Sequence, residues 1–504
     1  MSVLGIDIGT SGCKASVVDE AGRVIGQACR GYSLSSPAKG MEEIDPASVW
    51  DSVREVVGRA AHAASQAGAS SPRAISVSSF GEAVVPVRAD GAPLRNAILY
   101  IDPRGTVEAR SLGERLGPER VHEISGASLH SMYSVHKIGW IKDHEPEVYR
   151  DAAAFLPLAE FALARLGARF HTDYSLAART QAFDVTAKAW STEILGAAEV
   201  DGEKLGEPVQ SGAVVGELGG ELAEELGLER GALLVAGGHD QPCAALGAGV
   251  VGPGAAVDGL GSTECVTPAF DRPVINAAMA ASGFACVPHV VPGLYVSYAF
   301  TFTCGAALKW FRDRLAPWRE GEASARGQDL FDLLIDEAAG EGTDLLFLPH
   351  LAGAATPYMD SLSRGALVGL GLETTGRDIV RAILEGVTYE IMVNVERLAE
   401  AGIEVQELRA VGGMAKSEAY LQLKADMMGR PIGTLESAEA GTLGVAMLAG
   451  LASGLYPDLS TAVARTVRRG RVFEPDPAAH SRFQERFDAY KKLYPAVRGI
   501  LGRE

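Results

Sequence analysis

Ile6-Asp7-Ile8-Gly9-Thr10-Ser11-Gly12-Cys13-Lys14 is the stretch whose reading decides the fold. Residues 3–8 form a short apolar run carrying one carboxylate. A turn of glycine and hydroxyl residues follows, and 13–18 form a second run, which predicts strand–turn–strand. Glycine lets backbone N–H groups approach an anion, and Thr10 and Ser11 add short donors. Lys14 adds a cation, and Asp7 is the kind of side chain that holds a hydrated Mg2+. Together they suit a cradle for phosphate and metal. Taken alone, they suit an ordinary Gly-rich hairpin as well.

A second copy favours the cradle. Leu260-Gly261-Ser262-Thr263-Glu264-Cys265 repeats the pattern of residues 8–13, again between two apolar runs. Gly259 replaces Asp7 and Val266 replaces Lys14, so only the first copy has a carboxylate for metal and a cation for the transferring phosphate. Two double-glycine turns also recur, in 233–240 (LLVAGGHD) and 408–415 (LRAVGGMA), each before a helix-like segment. Asp240 in the first is Ala415 in the second. The order of loops and turns implies two related halves facing a cleft.

A chain of 504 residues, 47% of them hydrophobic, has enough apolar surface for two large cores. We expect domains at 1–248 and 249–504, meeting in the hinge-like run AGVVGPG (248–254). The net charge of −18 argues against nucleic acid or an anionic membrane as the main partner. The six cysteines lack CxxC spacing and read as buried free thiols of a cytoplasmic protein. No basic segment precedes an apolar stretch at the start, as a signal peptide requires, and no apolar run is long enough to span a bilayer.

Gly81-Glu82 and Asp102 fall at the ends of predicted strands, where sites in α/β folds collect, although loop carboxylates also stand there simply solvated. Segment 132–144 (MYSVHKIGWIKDH) reads as a helix with Ile138, Trp140 and Ile141 on its apolar side, and Lys137 reads as an exposed lysine in preference to one facing a phosphate. Segment 178–191 reads as a lid or an edge hairpin. Gly305, near the start of a predicted helix over 302–313, permits a flat ligand or tight packing. Asp240 precedes a helix opening with Gln241-Pro242, which suits an N-cap and an ionised base alike. The charged tail from Pro475 is expected on the surface.

These motifs, in this order and over nearly the whole chain, resemble the FGGY carbohydrate kinases of the actin–Hsp70–hexokinase group, nearest their xylulose-kinase branch. Segment 132–144 is similar to the first family signature and 365–385 (GALVGLGLETTGRDIVRAILE) to the second. The resemblance implies an α/β fold of two ribonuclease-H-like domains with ATP and sugar in the cleft between them. It implies Asp240 as general base and Asp7 as the anchor for Mg2+. Thr10, Ser11, Lys14, Gly261, Ser262 and Thr263 would meet the phosphates, and Gly305, Gly412, Gly413 and Met414 the adenosine. Gly81, Glu82, Asp102, Asp240 and Gln241 would surround the acceptor.

That acceptor is expected to be a ketose such as D-xylulose, taking the γ-phosphoryl of ATP. Gly81-Glu82 departs from the Met-His of xylulose kinases and half matches the Arg-Glu of glycerol kinases. Ile101-Asp102 stands where xylulose kinases carry Asn-Asp. Ribulose, erythritol and glycerol are therefore alternatives. A pair of carboxylates at 82 and 102 suits a neutral polyhydroxylated substrate and repels a sugar acid. A sugar-binding regulator without catalysis is a rival, opposed by the presence of Asp7, Lys14 and Asp240. A chaperone-like or filament-forming ATPase is another, opposed by the lack of an added peptide-binding domain. Homodimers are common in the family, and nothing in this sequence fixes one.

Overall fold

A computed structural model describes residues 1–340, 342–436 and 439–501. Its first sheet has six strands, in the order Val214–Glu217, Leu233–His239, Ala74–Ser79, Ser2–Ile8, Gly12–Asp19, Val24–Gly31. Ser2–Ile8 and Leu233–His239 both run parallel to Ala74–Ser79 between them. These central strands are covered on both faces, which is why they read as nearly unbroken apolar runs. Helix Pro46–Gln66 packs on this sheet, started by Asp45 as N-cap and Pro46 in its first turn.

The second sheet repeats the plan. Gly254–Leu260 and Glu264–Phe270 form an antiparallel hairpin, Val405–Val411 runs parallel beside the first of them, and Ile432–Leu435 lies beyond. The strand order corrects one sequence match. Val405–Val411 adjoins its hairpin as Ala74–Ser79 adjoins the first hairpin, so its counterpart is Ala74–Ser79 and not Leu233–His239. The loops at 80–82 and 412–414 thus leave equivalent strands.

The two halves are interleaved. Helix Ala440–Ala452, expected with the second half, packs on the first sheet and on helix Asp240–Gly247. Small residues make the crossing: a Cβ on Gly247 would lie 1.8 Å from Ala440 O, and one on Gly444 1.9 Å from Cys243 O. The chain then returns, and Arg469–Phe473 pairs with Ile432–Leu435. The tail is not merely surface, because Phe487, Tyr490, Leu493 and Tyr494 join the second core.

Segment 178–191 is a short hairpin, Phe183–Asp184 with Ala189–Trp190, and Phe183 is buried. The helix expected over 302–313 is shorter, Gly305–Trp310, followed by the wider turns of Phe311–Leu315. All six cysteines are free, but Cys29 is exposed, contrary to expectation. No described helix is long and apolar enough to cross a membrane.

Candidate active site

Asp7 lies opposite Lys14 in the first hairpin and beside Ser78 in the parallel neighbour. The Ser78 hydroxyl donates to Asp7 Oδ1 at 2.7 Å. Burial raises the Asp7 pKa above the ordinary carboxylate value, with Ser78 and Lys14 opposing. The Tyr32 hydroxyl donates to the Gly9 and Gly12 carbonyls and ties the turn, leaving Ser11 exposed at the rim and Thr10 half-buried. A Cβ on Gly441 would stand 3.0 Å from Asp7 Oδ2, so glycine keeps the space beside that oxygen open. Lys14 departs from expectation. Its Nζ is held by Glu439 at 2.8 and 3.1 Å, at the start of the crossing helix, instead of standing free for a phosphate.

Asp240 opens helix Asp240–Gly247 at the end of Leu233–His239. Burial pushes its carboxyl up to about 8, with the Asp7 and Glu82 charges adding to the rise and the Gln241 N–H opposing it. Gln241 itself is half-buried in the same turn. His239 places Nε2 3.2 Å from Asp240 Oδ1 and Nδ1 3.0 Å from the Tyr298 hydroxyl. Burial holds His239 well below the usual imidazole range and Tyr298 well above the usual phenol range. Both are therefore neutral. The Tyr298 hydroxyl and Nδ1 share one hydrogen bond, and Nε2 is the ring nitrogen that lies next to Asp240.

Glu82 is buried and has a left-handed backbone, φ 66°. The Ser134 hydroxyl donates to its carbonyl at 2.6 Å, and Arg179 Nε donates to its Oε1 at 2.6 Å. The Arg179 guanidinium lies 5.1 Å from the Tyr133 ring centre and 5.3 Å from that of Tyr298. Gly81 packs against Arg179 and His239.

Asp102 does not join this group as an open carboxylate. Its Oδ1 accepts from the N–H and Nε of Arg104, and its Oδ2 from Arg104 Nη2 and the Glu42 N–H. Its side chain is 0% exposed. Arg104, two residues on, supplies a planar fork that saturates it. Lys137, expected at the surface, is also buried and donates to the Asp102 and Arg104 carbonyls. Burial lowers its pKa to about 8. With Arg179 on Glu82 and Arg104 on Asp102, the expected repulsion of a sugar acid loses its basis.

Arg179, His239, Tyr298 and Tyr133 escaped the sequence reading. His239 stood in the quoted GGHD run. Nothing in the sequence ties Arg179, at the end of the short helix Tyr174–Ala178, to Glu82.

On the second sheet, Gly261, Ser262, Gly305, Gly413 and Met414 line one cavity of about 970 Å³. Its size is at the upper end of the usual range for a small-molecule site. Gly412 has φ 99°, and a Cβ there would lie 2.5 Å from Leu260 O. A Cβ on Gly305 would lie 2.8 Å from Gly261 O and 3.3 Å from Met414 Sδ. Close backbone contact, more than ligand shape, requires glycine at both positions. Thr263 stays in the exposed turn outside the lining. Phe331, Asp332 and Ile335 of helix Leu330–Ala339 form a further wall that the sequence reading missed. Behind the cradle, fully buried Lys424 pairs with Asp258 and Glu264.

Among the described residues no three His, Cys, Asp or Glu side chains cluster as a metal site. Asp7 offers a carboxylate oxygen, Oδ2, that no described residue hydrogen-bonds, with open space beside it. That fits a hard cation that keeps most of its water and takes other ligands from phosphate.

Residues 2–247 match the model for the FGGY family of carbohydrate kinases, N-terminal domain, and residues 259–453 match that for the C-terminal domain. The xylulose kinase of Bacillus subtilis (strain 168) is 28% identical over 500 residues, 99% of this chain and 97% of its own. The glycerol kinase of Bordetella parapertussis is 31% identical over 489 residues, 94% of this chain and 92% of its own. The solved xylulose kinase from Rhodospirillum rubrum matches with a TM-score of 0.89 at 27% identity, covering 100% of both chains. Two ordered family matches over a fold with two repeated sheets lead to one conclusion: the chain belongs to the FGGY family of carbohydrate kinases and is a sugar kinase.

Proposed function

We propose that the chain transfers the γ-phosphoryl group of ATP to a hydroxyl of a ketose, with D-xylulose as the first candidate. The observation that carries this reading is Asp240, a half-buried carboxylate beside His239, just past the end of a strand in the sheet that also carries Asp7. Xylulose kinases among the relatives and solved structures support the choice of sugar. The half-match at Glu82 and the similarity to a glycerol kinase support a polyol as the second reading.

In this reaction the acceptor oxygen attacks the γ-phosphorus, the bond to the β–γ bridging oxygen breaks, and ADP leaves. The acceptor's hydroxyl proton passes to the ionised Asp240 carboxylate, a contribution worth roughly 10²–10⁴ in rate. Neutral His239 stands beside that carboxylate, with Nε2 3.2 Å from Oδ1. The turns carrying Thr10 with Ser11 and Ser262 with Thr263 hold phosphate oxygens through hydroxyl and backbone donors. Asp7 would hold Mg2+, which supplies positive charge to the phosphates when bound. Lys14 would reach a phosphate either with its third N–H donor or by leaving Glu439. Gly412, Gly413, Met414 and Gly305 lie on the adenosine side.

A coupled assay of ADP release across D-xylulose, D-ribulose, erythritol, glycerol and gluconate tests this reading. The expected result is fastest turnover on a ketopentose. Turnover confined to gluconate or to a polyol would overturn the choice of sugar.

A further inference from the structure

Gly81 is a glycine because of what stands beside it. A Cβ there would lie 2.9 Å from Arg179 Cγ, 3.0 Å from Arg179 Cβ and 3.1 Å from His239 Cδ2. The first two are atoms of the arginine's stem, which cannot swing aside as a side-chain tip can, and the third belongs to the His239 ring. The bare position at 81 and the placement of Arg179 are therefore one feature. At its other end Arg179 bonds Glu82 through Oε1 alone, with both Nε and Nη2 on that oxygen. No described residue hydrogen-bonds Glu82 Oε2.

The two partners are delivered by strained backbone. Glu82 has φ 66°, and Gln181, two residues beyond Arg179, has φ 62°. Gln181 is fastened by its amide to the Ala127 and Ser128 carbonyls and to His136. Left-handed non-glycine residues persist where their surroundings over-determine them, and such residues gather at sites. Tyr133 and Tyr298 hold the guanidinium between their rings, and Tyr298 also holds His239. The pair is thus built into the same wall as the base.

Resting on the function proposed above, we propose that Arg179 is a specificity-determining positioning residue. Through the space left by Gly81 it fixes Glu82, so that Oε2 accepts a hydrogen bond from a hydroxyl of a neutral, polyhydroxylated substrate beside Asp240. Its charge also balances that of Glu82, so the wall adds no net negative charge next to the phosphates. Selectivity here comes from an arginine distant in sequence and not from the side chain at position 81.

The test compares wild type with Arg179→Met, Arg179→Lys, Gly81→Ala and the double variant Gly81→Ala/Arg179→Met. Dissociation constants for D-xylulose, D-ribulose, glycerol and gluconate are measured by calorimetry without ATP, and kcat and KM are measured for sugar and for ATP. Arg179→Met should weaken binding of the preferred sugar at least about tenfold and flatten the ranking of the four. The KM for ATP should stay within about twofold, and Arg179→Lys should restore part of the ranking. Gly81→Ala should act in the same direction, and the double variant should be no worse than the worse single one. An unchanged ranking in Arg179→Met and Gly81→Ala would overturn the proposal, as would multiplying losses or an equal change in the KM for ATP. If Arg179→Met does not fold, Gly81→Ala and Arg179→Lys carry the same test. Calorimetry reads the wall without turnover, so a failure of the phosphoryl-transfer reading and a failure of this proposal give different results.

Discussion

Asp7 and the Asp240 strand meet the same residue from opposite sides: Asp7 is registered with Ser78, and so is Gly238, two residues before Asp240. Strands on either side of a shared neighbour lie roughly 10 Å apart. The three strands are parallel, so both carboxylates lie at the same C-terminal end of the sheet. The carboxyl of Asp240 is accordingly raised in part by the charge of Asp7.

This coupling sets a stability signature for Asp240→Asn. Folding raises the carboxyl from 3.8 to about 8, so the fold disfavours the ionised form. Wild type therefore loses stability as pH rises from about 4 to about 8, and the asparagine variant escapes that loss. Melting curves of the ligand-free protein should show the variant gaining on wild type over that window and holding its lead above it. A constant difference across the window would contradict the raised pKa.

Activity should respond in the opposite sense, because the base works ionised. For wild type, kcat/KM for the sugar should climb with pH and level off above about 8. Tyr298→Phe removes the hydroxyl bonded to His239 Nδ1 and frees the imidazole beside Asp240 to turn. The rising limb should then move to higher pH with little change in melting temperature. A pH profile that superimposes on wild type would separate His239 from the base.

Gly412→Ala tests the nucleotide wall. The new Cβ meets Leu260 O at 2.5 Å in a left-handed backbone, φ 99°. The variant should lose about 1–2 kcal/mol of stability and raise the KM for ATP more than that for sugar. Equal effects on both would place this turn away from the nucleotide.

Lys424→Met leaves Asp258 and Glu264 buried together without their cation. Breaking a buried pair from one side costs about 3–5 kcal/mol. Chemical denaturation should show that loss, and adding Asp258→Asn and Glu264→Gln should recover most of it. No recovery would mean that the lysine acts by packing alone.

Both hairpins and the repeated half-chain plan were legible in the sequence, because the same Gly-and-hydroxyl turn between apolar runs occurs twice. Asp7 stood out beside the first turn, and the roles given to Asp7 and Asp240 came from the resemblance to the family. Equivalence of the double-glycine turns was misread, since only strand order shows that 412–414 corresponds to 80–82. Contacts between residues far apart in sequence were hidden: Arg179 on Glu82, Glu439 on Lys14, and the crossing of Ala440–Ala452 onto the first sheet. Asp102 misled for a local reason, since its partner Arg104 was in plain view but its geometry was not.

The most direct test is ADP release at saturating ATP, with and without D-xylulose, in wild type and Asp240→Asn. Wild type should release ADP in a sugar-dependent way, and the variant, folded and still binding ATP, should be slower by at least about a hundredfold. Near-equal sugar-dependent rates in the two proteins would contradict the assignment of Asp240 as the group that takes the acceptor's proton.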